Sequence, residues 1–331
     1  MTELATHRVA ADEHELLAGA TSRASFVPDD GLSGVPMERV VIDGQRYVAK
    51  WLSPELDWVA RVMGDTVCRP VLLWELGLYD RVAPFVDATV VGASRDRTSG
   101  TCVLLMRDVS PYLLPAGAVR FAAADQEAVL DAMAGLHAGM WGFTHREGLC
   151  TPWQAYGAFS PENLAPELAR GTAIPTAVPL GWSELARVVP RTAEAALHLA
   201  TEPDPLVRAL GETPQTLVHS DWKGGNLGRR PDGRTILVDW AFPGAGAGCR
   251  DLAWYLAVNC DRLPTSKDTA IRLYRDALER RGIETADWFE RQLELALVGA
   301  FLQMGWCKSH DPAELAWWVD RVTPVAEDLL R

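Results

Sequence analysis

The densest run of chemically competent side chains is Leu217-Val218-His219-Ser220-Asp221-Trp222-Lys223-Gly224-Gly225-Asn226, which contains the pattern H-x-D-x-x-x-x-N. Asp239 follows at the end of the strand-like run Thr235-Ile236-Leu237-Val238, and Asp251 comes a dozen residues later in Cys249-Arg250-Asp251-Leu252-Ala253. Phosphoryl transfer needs such residues. A carboxylate must orient the attacking hydroxyl and accept its proton, while an amide oxygen and a second carboxylate hold magnesium on the phosphates. The transition state is loose, so positioning and charge neutralisation supply most of the rate. H-x-D-x-x-x-x-N alone arises often by chance. Followed by a hairpin, a strand ending in Asp-Trp and then Asp-Leu-Ala, it is far more specific.

These residues need elements to hold them. Met37 to Leu52 reads as two apolar-rich strands flanking Asp43-Gly44, a strong hairpin signal. Alternation along the second strand puts Val48, Lys50 and Leu52 on one face and Tyr47, Ala49 and Trp51 on the other. Helical periodicity runs from about Glu55 to Met63 and from about Val71 to Val82. Strand-like runs follow at Ala88–Val91 and Cys102–Met106, and a helix is expected over Asp125–Trp141. From Thr151 to Pro214 the sequence reads as irregular, with many prolines and short helices such as Ser183–Val189. A second hairpin spans Asn226–Trp240, turning at Pro231-Asp232-Gly233. After Cys249 the chain reads as helical to its end. Strands with a few helices, followed by a mostly helical half, suit an α+β fold of two lobes.

On these motifs the sequence resembles the aminoglycoside phosphotransferase family, small-molecule relatives of the protein kinases. The resemblance covers about residues 37 to 260. It implies a two-lobed, protein-kinase-like fold with a β-rich nucleotide-binding lobe over residues 1–106, a hinge at 107–112 and a catalytic and acceptor-binding lobe over 113–331. Asp221 is then the base, Asn226 and Asp239 the magnesium ligands, and Asp251 the residue that buttresses the loop backbone. His219 is a structural member of the loop, and Lys223 touches the transferred phosphate. Lys50, in Val48-Ala49-Lys50, binds the α- and β-phosphates. A strand lysine beside apolar side chains needs a carboxylate partner when no nucleotide is bound; Glu75 is the expected one and Glu55 the alternative. Met106, Arg107, Asp108 and Val109 form the hinge that meets the base. No G-x-G-x-x-G precedes the hairpin. Asp30-Gly31-Leu32-Ser33-Gly34 is the nearest candidate, with Ser33 reaching the phosphates only loosely. No activation loop or A-P-E is visible, which argues against a protein kinase. The expected cofactor is Mg2+, with ATP or GTP as phosphoryl donor and a small-molecule alcohol as acceptor. A nucleotide-binding pseudokinase scaffold is the alternative, but it predicts loss of Lys50, Asp221, Asn226 or Asp239, and all four are present.

Other features are bland beside these. Gly244-Ala245-Gly246-Ala247-Gly248 imitates a dinucleotide fingerprint but lacks its spacing and a surrounding βαβ unit; it reads as a flexible loop. His137 reads as a core histidine. Trp153, Tyr156, Phe159 and Trp182 are either core or acceptor-stacking groups, and Trp306, Trp317 and Trp318 mostly core. The chain has 331 residues, 48% hydrophobic and 23% charged, and a formal net charge of −12. That balance is unsuited to nucleic acid, which needs clustered Lys and Arg. The six cysteines form no C-x-x-C, as expected of reduced thiols in a cytoplasmic protein. No signal-peptide pattern or membrane-spanning apolar run is expected. Nothing in the sequence sets an oligomeric state.

Overall fold

The computed structural model describes residues 7–28 and 34–331. A short helix α1 (Glu13–Leu16) precedes strands β1 (Ala20–Ser25), β2 (Met37–Ile42) and β3 (Gln45–Leu52). Helices α2 (Trp58–Val62), α3 (Arg69–Glu75) and α4 (Leu78–Val82) follow, then β4 (Val90–Arg95) and β5 (Cys102–Arg107). The five strands form one antiparallel sheet in the order β1-β2-β3-β5-β4. At the β2–β3 turn, Asp43 and Gly44 both have positive φ, 50° and 74°. That geometry matches the twist of a two-residue hairpin.

Both faces of β3 are covered, so its alternation sorts two cores. Val48 and Leu52 pack with Val71, Ala93, Leu104 and Met106. Ala49 packs with Leu17, Val40, Val103 and Leu105 on the other side. Lys50 lies on the Val48 face and is only 8% exposed. The helical stretch expected over Val71–Val82 is split at Gly77, whose φ of 62° ends α3 and starts α4.

The remainder is mostly helical. Helix α5 spans Ala123–Gly139. The segment expected to be irregular instead holds five helices: α6 (Pro152–Gly157), α7 (Pro161–Arg170), α8 (Ala173–Val188), α9 (Pro190–Thr201) and α10 (Asp204–Gly211). The prolines mislead there because four of these helices carry one in the first turn, where no backbone donor is needed. Thr151 caps α6 in a capping box with Gln154, and Ser160 caps α7.

Strand β6 (Gln215–Val218) leads into the H-x-D loop; β7 (Leu227–Arg229) and β8 (Thr235–Leu237) form the second hairpin. The glycine run is no flexible loop: Gly244–Ala247 is strand β9, paired antiparallel with β6. Glycine is required at Gly244 by close approach, since a Cβ there would sit 2.0 Å from the Cys150 carbonyl oxygen. Helices α11 (Cys249–Val258), α12 (Lys267–Glu279), α13 (Phe289–Met304) and α14 (Pro312–Leu329) complete the chain.

The largest core cluster is built on α5, α11 and α13, and α2–α4 join it through Trp58, Leu73, Leu78, Tyr79 and Val82. Tyr156, Trp182 and Trp318 are core residues, whereas Trp153 is 45% exposed. No described helix is long and apolar enough to cross a membrane.

Candidate active site

The loop after β6 is held by one buried carboxylate. Asp251, in the first turn of α11, accepts the Ser220 N–H on Oδ1 at 2.7 Å. Its Oδ2 accepts the His219 N–H at 2.9 Å, Trp222 Nε1–H at 2.8 Å and His137 Nε2–H at 3.1 Å. Burial pushes the Asp251 carboxyl up, but His137 and the other donors outweigh it and hold the group below the usual carboxylate range. His137 is the core histidine expected of it, fully buried, with Nδ1 on the Tyr274 hydroxyl at 2.7 Å. Asp251 stabilises an otherwise costly conformation: Ser220 has φ of 72°, in the left-handed region.

His219 works within the loop. Its Nδ1 accepts the Asp221 N–H at 3.1 Å and its Nε2 donates to the Val238 carbonyl at 3.2 Å. Those two bonds define a neutral imidazole. Burial pushes its pKa down, and the charges of Asp251, Asp221 and Asp239 offset this only in part. The ring also meets Trp240 edge-on at 4.6 Å. His219 thus ties the loop to the segment carrying Asp239.

Asp221 is buried and its two oxygens are fixed separately. Oδ1 accepts Trp254 Nε1–H at 3.0 Å, and Oδ2 accepts Asn226 Nδ2–H at 2.8 Å. Asn226 Nδ2 also donates to the Asp221 carbonyl at 3.0 Å. Lys223 Nζ lies 3.6 Å from Asp221 Oδ2. Asn259 clamps the far end of the loop, accepting the Gly224 N–H and donating to the Trp222 carbonyl. At Gly224 a Cβ would sit 2.0 Å from the Arg262 guanidinium, so a larger residue there would have to displace that side chain.

Asp239 follows β8 in the left-handed region, with φ of 64°. Its Oδ1 accepts Lys50 Nζ–H at 2.7 Å. Burial would raise its pKa, but the charges of Lys50 and Lys223 and the Lys50 hydrogen bond lower it to about 2. Lys50, Asp239, Lys223, Asp221 and Asn226 therefore converge from β3, the β6 loop and the end of β8.

Glu75 is not part of this cluster. Its carboxylate pairs with Arg95 Nε at 3.3 Å, at the end of β4, because α3 buries Val71 and Leu73 and turns Glu75 away. Glu55 is exposed and offers only its backbone carbonyl to Arg61. The partner of Lys50 is Asp239, and a second carboxylate, Asp57, lies within reach of its charge. Burial pushes the Asp57 carboxyl up, Lys50 pulls it down, and Asp239 pushes it up again. Asp57 also caps α2 through the Val59 and Ala60 N–H groups. Its place just before an apolar helical run is the signal that could have singled it out. Trp254 was likewise missed; it stands one helical turn after Asp251 on the same face.

At the expected hinge, Met106 is buried in the sheet core. The Arg107 side chain pairs with Asp87 and its N–H donates to the Thr89 carbonyl. The Asp108 N–H donates to the Arg46 carbonyl, and the Asp108 carboxylate accepts from Ser110. The Val109 N–H makes no hydrogen bond among the described residues. Ser33 lies outside the described residues.

The oxygen chemistry suits a hard cation. Asp239 is held ionised, and its Oδ2, like Asn226 Oδ1, accepts no hydrogen bond from a described residue. Carboxylate and amide oxygens are the donors magnesium takes.

No family model matches the sequence and no curated protein is detectably similar to it. Solved structures are similar in shape. The chain overlays the crystal structure of choline kinase LicA from Streptococcus pneumoniae with a TM-score of 0.51 at 12% identity, covering 96% of both chains. This is a kinase-like fold. The overlay on LicA in complex with AMP has a TM-score of 0.50 at 12% identity, covering 97% of this chain and 96% of that one. Aminoglycoside phosphotransferase APH(4)-Ia, in a ternary complex with ADP and hygromycin B, matches at 0.46 and 15% identity, covering 95% and 96%. The fold is α+β and two-lobed, with the sheet in the smaller, N-terminal part.

Proposed function

We propose that the protein is a magnesium-dependent kinase that transfers a phosphoryl group from ATP or GTP to a hydroxyl of a small molecule. The observation that carries this reading is the convergence of Lys50, Asp239, Asn226 and Asp221 on one side-chain cluster built from three separate elements. The overlay on a choline kinase described with AMP supports it. In this reading residues 1–106 form the nucleotide lobe, 107–112 the hinge, and 113–331 the catalytic and acceptor lobe.

Each residue has a part that follows from its surroundings. Asp221, its rotamer fixed by Trp254 and Asn226, aligns the acceptor hydroxyl and takes its proton. Lys50 exchanges its Asp239 partner for nucleotide phosphate. Lys223, beside Asp221, balances charge on the transferred group. The free Val109 N–H meets the base. Asp239 and Asn226 would hold magnesium, which when bound neutralises phosphate charge.

The test is ADP or GDP release with ATP or GTP across a panel of aminoglycosides, macrolides, amino sugars and amino alcohols. An acceptor should stimulate release in a magnesium-dependent manner. Asp221→Ala should lower kcat by about 100- to 10,000-fold, the range for a positioned proton acceptor, without changing nucleotide affinity. Tight nucleotide binding with no acceptor-stimulated release would return the pseudokinase reading. Near-normal kcat in Asp221→Ala would refute the assignment of the base.

A further inference from the structure

Helix α2 belongs by packing to the larger lobe, although the chain enters it straight from the sheet. Trp58, Val62 and Met63 sit in the main core cluster and in neither core of the sheet. Trp58 also meets Phe159, just before α7, at a ring separation of 6.4 Å. The connection 53–57 therefore joins β3, with Lys50 near its end, to a helix held by the other lobe.

One ion pair fixes this connection from the far side. Glu167 of α7 is only 1% exposed. Its Oε1 accepts Arg61 Nε–H at 2.6 Å and its Oε2 accepts Arg61 Nη2–H at 2.8 Å, a two-point fork. The remaining nitrogen, Nη1, donates to the Pro54 carbonyl at 2.6 Å and to the Glu55 carbonyl at 3.0 Å. Arg61 thus ties the backbone between β3 and α2 to a carboxylate of the larger lobe. Arg170 Nη1–H and the Thr172 hydroxyl complete that carboxylate, at 2.9 and 3.0 Å. A buried ion pair adds little net stability over an apolar pair, and its best-attested use is to fix one geometry. The geometry fixed here leads to the phosphoryl-transfer cluster. Asp57, the last residue of the connection, caps α2 on the Val59 and Ala60 N–H groups, and its carboxyl feels the Lys50 charge.

We propose that Glu167 is a positioning residue for Lys50, acting through Arg61 and the connection 53–57. The inference rests on the kinase reading, in which Lys50 leaves Asp239 for nucleotide phosphate. With the connection pinned, that exchange is a side-chain movement on a fixed strand end. Without the pin, the strand end must be ordered whenever a nucleotide binds, and affinity falls by that cost.

The experiment is calorimetric titration of the full chain with ADP and magnesium, with circular dichroism to confirm folding. Each Glu167 oxygen accepts two hydrogen bonds, so either orientation of the amide in Glu167→Gln sets its nitrogen against two donors and breaks the fork. The variant should bind ADP about 5- to 30-fold more weakly, the cost of ordering one backbone residue. Arg61→Lys keeps the charge but cannot form the fork. It should act in the same direction, and it decides the matter should Glu167→Gln fail to fold. In a Lys50→Met background either change should cost no more than about twofold, the scatter between independent sites; a merely structural loss would persist there. Arg170→Ala, on the same carboxylate but away from the connection, should leave ADP affinity unchanged. The proposal is overturned by wild-type ADP affinity in the folded variants, by an equal loss in the Lys50→Met background, or by an equal loss in Arg170→Ala. Absence of ADP binding by the wild type would end the kinase reading itself, and this inference with it.

Discussion

Replacing Asp251 by Asn tests whether one carboxylate holds the catalytic loop. The two side chains have the same shape, so the change is electrostatic. In the wild type Oδ1 serves the Ser220 N–H, while Oδ2 serves the His219 N–H, Trp222 Nε1–H and His137 Nε2–H. The least costly orientation of the Asn keeps its oxygen on the Oδ2 side. Its amide nitrogen then faces the Ser220 N–H, donor against donor. One charge-assisted bond worth about 1.5–3 kcal/mol is lost and a buried donor is left unpaired at about 1–3 kcal/mol. The remaining bonds also lose their ionic character. The expected destabilisation is about 3–5 kcal/mol, as for breaking other buried charged sets. That is a large part of a stability of about 5–15 kcal/mol, so the variant should still fold in the cold. Released from Asp251, Ser220 can leave the left-handed region and shift Asp221, the next residue. A displacement of about 1 Å costs about 100-fold in turnover. Urea denaturation and the turnover of the best acceptor measure the two effects. The folded Asp251 pKa is depressed, so its contribution is complete above the ordinary value of 3.8 and is lost as pH falls through the folded value. The stability gap between wild type and variant should therefore be full at pH 7 and narrow on acidification below about 4. A loss under about 1 kcal/mol at pH 7, less than one such bond, or a gap that widens with acid, would refute the reasoning.

Lys50→Met should weaken nucleotide binding strongly by calorimetry, whereas Glu75→Gln, which frees Arg95 instead, should change it by no more than about fivefold, the reach of a half-exposed ion pair. Equal losses would place Glu75 back beside Lys50. Asp239→Asn should abolish the magnesium-dependent part of the thermal stabilisation by ADP, since only a ligand bound to the folded state raises Tm; a wild-type response would end its assignment as a ligand. With its pKa at about 2, the Asp239 carboxyl stays paired with Lys50 until pH falls through that value, so its 13C resonance should show no inflection near pH 4. Trp254→Phe removes the donor on Asp221 Oδ1 and should lower kcat by about 10-fold or more, the worth of a hydrogen bond to a charged group, with the nucleotide KM unchanged; a change confined to KM would make Trp254 a packing residue only.

Local signals carried much of this protein in its sequence. Asp43-Gly44 imposes a hairpin because both residues accept positive φ, and alternation then fixes which side of β3 Lys50 occupies. The spacing of His219, Asp221 and Asn226 is fixed by a single loop, so these residues must be neighbours however the chain folds. Asp251 follows closely enough for one helix start to bring it under that loop. Tertiary packing decided the rest. The partner of Lys50 comes from Asp239, far along the chain, and no local pattern separates it from Glu75 or Asp57. Prolines between Thr151 and Pro214 look like breakers in the sequence, but capping and packing put four of them in helix first turns, where the missing N–H costs nothing. The glycine-rich run 244–248 has only the methyl groups of Ala245 and Ala247, too little to announce a strand. It becomes one because β6 offers an unpaired edge and Cys150 leaves room only for glycine. Arg250 gives no sign in the sequence of being buried. It is buried only where α6 and β9 close around it.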